Sequence, residues 1–186
     1  MNPDYWKQID IGGAMFDYEH FYASIAAVMP DNCILAEIGV ANGKSLLYMA
    51  GRLHLLKKNF TIHDIDNMDY GGDFQVNTIL DNIAAAGFEK QIVLHRKDSL
   101  CASRLFPDRY FDFVFIDASH DYEHVKADIR LWQHKVKPTG ILAGHDIEMS
   151  EVKRAVIECA AVKQFNTIPT TNNLGVWFYS IPQKQQ

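Results

Sequence analysis

The stretch Glu37-Ile38-Gly39-Val40-Ala41-Asn42-Gly43 ends an apolar run, Cys33–Ile38, and precedes a segment with helical periodicity. A strand that passes through a glycine-bearing turn into a helix is the first unit of a doubly wound α/β sheet. The two glycines let the backbone pass close to a ligand, because no Cβ stands in the way. The stretch therefore predicts an α/β sheet whose ligand-binding end begins at this turn.

Short apolar runs alternate with helical segments along most of the chain. The apolar runs predict strands over Cys33–Ile38, Phe60–Ile65, Ile92–His95, Phe111–Ile116 and Ile141–Gly144. Apolar residues at helical spacing predict helices over Phe16–Val28, Ser45–Leu56, Phe74–Ala86, Tyr122–Val136 and from Ser150, as N-cap, to about Val162. Strands that are apolar throughout are typical of a parallel sheet covered on both faces. Two further strands, Gln164–Ile168 and Leu174–Ile181, are expected to form a hairpin at the end of the chain.

The turn after the first strand lacks the order of glycines that seats a pyrophosphate. Its spacing is Gly39-x-x-x-Gly43, whereas dinucleotide-binding turns have G-x-G-x-x-G. Glu37 places an acid at the end of the strand, which would repel a pyrophosphate and suits a cationic ligand. We therefore expect Glu37, Gly39 and Gly43 to contact a nucleoside-containing cofactor that carries positive charge.

Acids also follow the next two strands. Asp64 is placed where a carboxylate can accept hydrogen bonds from both hydroxyls of a ribose, and Asp66 is the alternative for this role. Asp98 and Ser99 follow the third strand, where an adenine amino group would be recognised. The polar, glycine-bearing segment Met68–Asp73, which includes Tyr70, is expected to close over the cofactor.

Four stretches of the chain resemble class I S-adenosylmethionine-dependent methyltransferases, in particular a small family related to catechol and macrolide-sugar O-methyltransferases. These stretches are Glu37–Ser45, Phe113–Glu123, Val136–Asp146 and Gly175–Tyr179, and the resemblance extends roughly over Phe16–Ile181. It implies a Rossmann-like, doubly wound, seven-stranded and mostly parallel sheet with an antiparallel C-terminal strand. It also implies S-adenosyl-L-methionine as the cofactor.

The same resemblance implies a metal site and a general base. In metal-dependent relatives, acids that end strands four and five bind a divalent cation, usually Mg²⁺, and Asp117 and Asp146 match those positions. His120 matches the general base, three residues after the first acid, and Asp117 is also expected to contact the cofactor. The chain departs from the pattern at His145 and Ile147, which flank Asp146, so the third ligand is missing or is replaced by His145 or water.

The domain prediction is a single methyltransferase domain over residues 1–186. Residues 1–30 form an N-terminal helical segment that covers the site, and residues 31–182 form the Rossmann-like core. A chain of 186 residues can bury a substantial core without disulfides. Cys33, Cys101 and Cys159 are far apart in apolar surroundings, which indicates buried thiols in a reducing compartment.

Composition narrows the class of protein and partner. The net charge is −5, and there is no basic block of the kind that nucleic-acid binders present. The N-terminus lacks the features of a signal peptide, and no apolar run is long enough to cross a bilayer. We expect a cytoplasmic enzyme with a small-molecule acceptor and no nucleic-acid or membrane partner, and the sequence is compatible with a homodimer.

The predicted function is S-adenosylmethionine-dependent methyl transfer (EC 2.1.1.-), with O-methylation of a sugar or phenol assisted by a cation such as Mg²⁺. One alternative is a nicotinamide-dependent oxidoreductase, which the glycine spacing and Glu37 disfavour. Another is a catalytically silent binding protein, which the set Asp117, His120 and Asp146 disfavours. The segment from His120 to His124 also matches the zinc-peptidase pattern H-x-x-E-H, but it begins in a loop and continues into an amphipathic helix.

Overall fold

The computed structural model describes residues 1–10, 16–69, 71–161 and 164–183. A short 3₁₀-helix, Tyr5–Gln8, precedes the main elements. The α-helices are α1 (Glu19–Val28), α2 (Lys44–Leu55), α3 (Gly72–Ala86), α4 (Ser99–Ser103), α5 (Tyr122–Lys135) and α6 (Ser150–Cys159). The strands are β1 (Cys33–Ile38), β2 (Phe60–Asp66), β3 (Ile92–Arg96), β4 (Phe111–Ile116), β5 (Val136–Gly144), β6 (Asn166–Ile168) and β7 (Val176–Ser180).

The strands form one sheet in the order β3-β2-β1-β4-β5-β7-β6. Strands β1 to β5 pair in parallel, and β7 pairs antiparallel with both β5 and β6. This confirms the predicted Rossmann-like, mostly parallel seven-stranded sheet with an antiparallel C-terminal strand. Because β1 lies between β2 and β4, the winding reverses there, and a crevice opens at the carboxyl ends of β1 and β4.

Two apolar clusters cover the two faces of the sheet. Helices α1, α2 and α3 pack on one face, and α5 and α6 with part of α4 pack on the other. Side chains alternate between the faces along each strand, so Leu35 of β1 joins the first cluster and Ala36 joins the second. Trp132 and Trp177 lie in the second cluster and are fully buried. The alternation also decides where the strand acids point.

Several element boundaries differ from the predicted ones. Strand β2 extends to Asp66, beyond the predicted end at Ile65, and β5 begins at Val136 instead of Ile141. Ser150 is the first residue of α6 rather than its N-cap, which is Met149. A five-residue helix, α4, was not expected from the sequence. No helix among the described residues is both long and apolar enough to span a membrane.

One of the three cysteines is not where the sequence analysis placed it. Cys33 and Cys159 are buried, whereas Cys101 is exposed. The apolar surroundings of Cys101 in the sequence belong to the single-turn helix α4, which buries Ala102 and leaves Leu100 at the surface. Cys101 therefore lies with Leu100 on the exposed side of this helix.

Candidate active site

The turn between β1 and α2 is held in an unusual backbone conformation. Gly39, Ala41 and Gly43 have φ angles of 83°, 47° and 83°, in the left-handed region that favours glycine. A Cβ atom on Gly39 would lie 2.2 Å from the carbonyl oxygen of Asp117. Glycine at this position therefore allows the loop after β1 to touch the loop after β4.

A cleft of about 560 Å³ lies at the carboxyl ends of the parallel strands. Its volume is within the usual range of small-molecule and cofactor sites. Each of the first four strands contributes its following loop to the lining, which includes Gly39, Val40, Asp66, Asn67, Asp98, Ser99, Asp117 and His120. The cleft is therefore at the predicted edge of the sheet.

The predicted cofactor residues divide into two groups. Gly39, Asp98, Ser99 and Asp117 line the cleft, together with the predicted base His120. Glu37, Gly43 and Asp64 are not among the lining residues. Gly43 is the N-cap residue of α2.

Glu37 is buried beneath the cleft. Only 3% of the residue is exposed, and Ser45 Oγ donates a hydrogen bond to Glu37 Oε1. Burial raises the pKa of Glu37 to about 8. Its carboxyl group points toward α1 and α2 because it has the same strand parity as Leu35. Glu37 therefore lies beneath the cleft and not in its lining, and its predicted contact with the cofactor stays a prediction.

Asp64 and Asp66 lie on the same face of β2, but only Asp66 reaches the cleft. Asp64 is fully buried, and burial followed by the charge of Glu37 raises its pKa. Asp66 ends the strand, and its carboxylate accepts hydrogen bonds from the backbone N–H groups of Val40 (3.1 Å) and Met68 (2.7 Å). Because β2 extends to Asp66, Asp64 stands two residues inside the sheet, roughly 7 Å from the strand end.

The charges of the cleft suit a cationic ligand. Among the described residues, the lining contains five carboxylates, contributed by Asp66, Asp69, Asp98, Asp117 and Asp128, and one lysine, Lys97. A pyrophosphate would be repelled by this lining, whereas ribose hydroxyls, an amino group and a sulfonium would be stabilised by it. The residues present therefore fit S-adenosylmethionine better than a nicotinamide dinucleotide. Tyr70, in the segment predicted to close over the cofactor, lies outside the described residues.

His120 forms a hydrogen-bonded pair with Asp146. His120 Nε2 lies 2.9 Å from Asp146 Oδ2, and the histidine side chain is half exposed while the aspartate is buried. The hydrogen bond to Asp146 raises the pKa of His120. Asp146 has a φ angle of 61°, a strained conformation of the kind that clusters at functional sites. The pair aims an oriented imidazole at the cleft.

His145 is buried among three carboxylates. Its Nε2 lies 3.2 Å from Asp17 Oδ1, and its Nδ1 lies 3.2 Å from Asp146 Oδ1 and 3.8 Å from Asp117 Oδ1. Burial acts to lower the pKa of His145, but the hydrogen bond to Asp146 and the charges of Asp117 and Asp17 outweigh it and raise the pKa. Burial acts to raise the pKa of Asp146, but the hydrogen bonds from His120 and His145 lower it below its usual value.

The N-terminal segment completes this cluster, and the sequence analysis missed that contribution. The hydroxyl of Tyr18 donates a hydrogen bond to Asp117 Oδ2 at 2.9 Å. Asp17 Oδ2 accepts a hydrogen bond from the backbone N–H of Asn172 at 3.0 Å. Burial raises the pKa of Asp117 to about 6. No local pattern signals these contacts, because Tyr18 and Asp117 are 99 residues apart.

One group of side chains among the described residues could hold a cation. Asp117, His120 and Asp146 each offer a ligand atom, and these atoms lie within 4.8 Å of one another. Two carboxylates and an imidazole suit divalent ions such as Mn²⁺, and the carboxylates alone suit Mg²⁺. This group includes both predicted metal ligands, Asp117 and Asp146. The buried His145 contacts both of these carboxylates but is not part of the group.

His124 does not join His120 in a zinc site. Its Nδ1 lies 3.3 Å from Asp121 Oδ1 on the exposed side of α5. Among the described residues, the group of side chains that could bind a cation contains His120 but not His124. The H-x-x-E-H match therefore reflects the start of an amphipathic helix.

The strand order, the antiparallel seventh strand and the cleft define the methyltransferase variant of the Rossmann-like fold. A family model described as a methyltransferase domain matches residues 36–147, which is more than half of the chain. The chain belongs to this methyltransferase-domain family, which implies S-adenosylmethionine as the methyl donor.

Three individual proteins illustrate the similarity. The cofactor-bound structure of Rv0187 from MTB has a TM-score of 0.75 and 13% identity, over 97% of this chain and 87% of that one. A protein from Staphylococcus aureus assigned as a caffeoyl-CoA O-methyltransferase has a TM-score of 0.71 and 16% identity, over 91% and 86%. At such identities the similarity shows the fold alone. An uncharacterized protein of Sinorhizobium fredii is 32% identical over 76 residues, which are 39% of this chain and 8% of that protein.

Proposed function

We propose that this enzyme transfers a methyl group from S-adenosylmethionine to a hydroxyl oxygen of a small acceptor, a sugar or a phenol. The observation that supports oxygen as the acceptor atom is the His120–Asp146 pair at the cleft. A hydroxyl needs a base to remove its proton, and a histidine oriented by a carboxylate is suited to that task. The similarity of the fold to that of the Staphylococcus aureus protein named above agrees with this choice.

The residues of the chain have separate tasks in this proposal. The bound cofactor supplies an electrophilic methyl group. Asp66 and Gly39 border the cleft where the nucleoside would lie, and Asp117 borders it next to His120. Asp146 holds Nε2 of His120, which leaves Nδ1 as the nitrogen that takes the hydroxyl proton. Holding the acceptor oxygen in line with the methyl carbon would supply most of the rate enhancement.

A divalent cation fits the same cluster. Asp117 and Asp146 would hold it, and it would stabilise the negative charge that develops on the acceptor oxygen. Because His120 and the cation would share the carboxylate of Asp146, replacement of Asp117 should affect the cation more selectively than replacement of Asp146.

The test is a screen of phenols, catechols and hydroxylated sugars with S-adenosylmethionine, in which S-adenosylhomocysteine formation is measured and methylated products are located by mass spectrometry. We expect an O-methylated product from at least one class. Methylation confined to nitrogen or carbon acceptors would contradict the proposal. Calorimetry that detects binding of NAD but not of S-adenosylmethionine would contradict the assignment of the cofactor as well.

A further inference from the structure

Asp128 lines the cleft, although the sequence analysis did not include it among the site residues. It lies on α5, eleven positions after Asp117, and only 4% of the residue is exposed. Burial of a carboxylate is costly unless the group is paired or hydrogen-bonded. Asp128 therefore calls for a functional explanation.

A directed chain of hydrogen bonds orients this carboxylate. The indole Nε1 of Trp132 donates to Ser99 Oγ at 2.8 Å, and Ser99 Oγ is hydrogen-bonded to Asp128 Oδ1. An indole N–H can only donate, so the hydroxyl of Ser99 must give its own proton to Asp128. Oδ1 of Asp128 thus accepts a hydrogen bond from Ser99, and this bond holds the carboxylate in one orientation.

The other oxygen of Asp128 has no protein donor. Within the described ranges, no N–H or O–H group donates to Oδ2. Oδ2 is also not one of the polar atoms that are both inaccessible to solvent and without a hydrogen-bond partner. It therefore presents a bare acceptor to the cleft, on the side formed by Ser99. Only a ligand group with a hydrogen to donate can match it.

The adenine of the cofactor offers such a group. Its exocyclic 6-amino group donates hydrogen bonds, whereas a 6-oxo purine places an acceptor at the same position and would be repelled. Asp98, the acid predicted for this task, is exposed, and its Oδ1 accepts the N–H groups of Leu100 and Cys101 as the N-cap of α4. Water competes with a ligand for hydrogen bonds to an exposed carboxylate such as that of Asp98. A buried carboxylate therefore discriminates better between a 6-amino and a 6-oxo purine.

We propose that Asp128 recognises the 6-amino group of the cofactor's adenine, with Ser99 and Trp132 holding its carboxylate in position. The inference rests on the assignment of S-adenosylmethionine as the cofactor. It makes α5, and not only the loop after β3, responsible for the choice of purine.

The test is calorimetry with S-adenosylhomocysteine and S-inosylhomocysteine, which differ at the purine 6-position. We expect the wild-type protein to prefer the adenine ligand by roughly tenfold to a thousandfold, because a site built around one hydrogen bond rejects the analogue that lacks it. Asp128→Asn should reduce the preference to about threefold or less, because an amide can donate to a 6-oxo group. Equal preferences in the two proteins would overturn the proposal.

Two further variants separate the explanations. Asp98→Asn is expected to change the affinities for both ligands equally, and loss of the preference in this variant alone would assign recognition to Asp98 instead. Ser99→Ala removes the bond that orients the carboxylate and should also lower the preference, so it serves if Asp128→Asn does not fold; an unchanged preference would overturn the proposal. If the wild-type protein binds neither ligand, the cofactor assignment fails, whereas binding without discrimination defeats only the role of Asp128.

Discussion

Glu37 and Asp64 are directly opposite each other in the pairing of β1 with β2, and both carboxyl groups are buried on the same face of the sheet. Neither oxygen of Asp64 has a hydrogen-bond partner among the described residues. Burial, as the largest cause, raises the pKa of both groups. Two unscreened negative charges at this position would repel each other, so the native state favours the protonated forms.

This pair should make the protein less stable as the pH rises. Above about pH 4 the unfolded chain has released these protons, while the native state retains them until its raised pKa values are passed, at about 8 for Glu37. The native state thus binds more protons, and each group lowers the free energy of unfolding by about 1.4 kcal/mol per pH unit in that window.

Asp64→Asn removes one of the two titrating groups. Its stabilising effect should be about 1.4 kcal/mol near pH 5 and grow toward pH 8, so that the part of the pH slope that comes from this pair falls by roughly half. Urea unfolding from pH 5 to pH 9 measures both quantities. A variant whose slope equals that of the wild-type protein would mean that Asp64 is ionised in the native state.

His120→Ala should impair methyl transfer without impairing cofactor binding. Loss of a general base costs roughly 100- to 10,000-fold in rate, whereas S-adenosylhomocysteine should bind with an affinity within about twofold of the wild type. Steady-state kinetics and calorimetry give the two numbers. His134→Ala, at the exposed end of α5, is the matched control and should retain full activity. If His120→Ala abolishes cofactor binding, the residue has a structural role.

Asp117→Asn should remove the response to divalent cations. We expect Mn²⁺ or Mg²⁺ to increase the wild-type rate and a chelator to decrease it, because the carboxylates of Asp117 and Asp146 can hold one ion beside His120. The variant should respond to neither addition. A wild-type rate that is indifferent to chelator would show that the His120–Asp146 pair works without a metal.

Gly39→Ala should destabilise the protein and close the cleft to the cofactor. A Cβ atom there would meet the backbone of Asp117 at 2.2 Å, and its φ angle of 83° is unfavourable for alanine, so we expect a loss of about 3 kcal/mol or more. Gly72→Ala is the matched control, since Gly72 also has a positive φ but its Cβ would meet no atom of the described residues nearer than 4.0 Å. It should cost about 1 kcal/mol. Equal losses in urea unfolding would mean that backbone conformation, not the contact with Asp117, explains Gly39.

The sequence was sufficient for the sheet and for the loops that border the cleft, because apolar strands and glycine turns are local signals. The sequence was insufficient to predict how far each strand acid lies from the carboxyl end of its strand. Strand β2 was predicted to end at Ile65 but extends to Asp66, so Asp66 borders the cleft and Asp64 lies two residues inside the sheet. Which of the two acids binds the ribose stays a prediction.

Contacts between distant segments could not be predicted at all. His145 was expected as a metal ligand or a departure from the family pattern, but its place among Asp17, Asp117 and Asp146 depends on how the N-terminal segment folds over β5. Asp128 was missed for a related reason. Helix α5 carries several charged residues, and the sequence does not distinguish the one acid that faces the cleft from those that face solvent.

The exposure of Cys101 gives the cleft a natural reporter. Its thiol is two residues from Ser99, in the helix that Asp98 caps, whereas the thiols of Cys33 and Cys159 are buried. A maleimide dye should therefore attach at Cys101 without any engineered cysteine. Its fluorescence would follow ligand exchange next to the purine in real time, in the wild-type protein and in each variant described above.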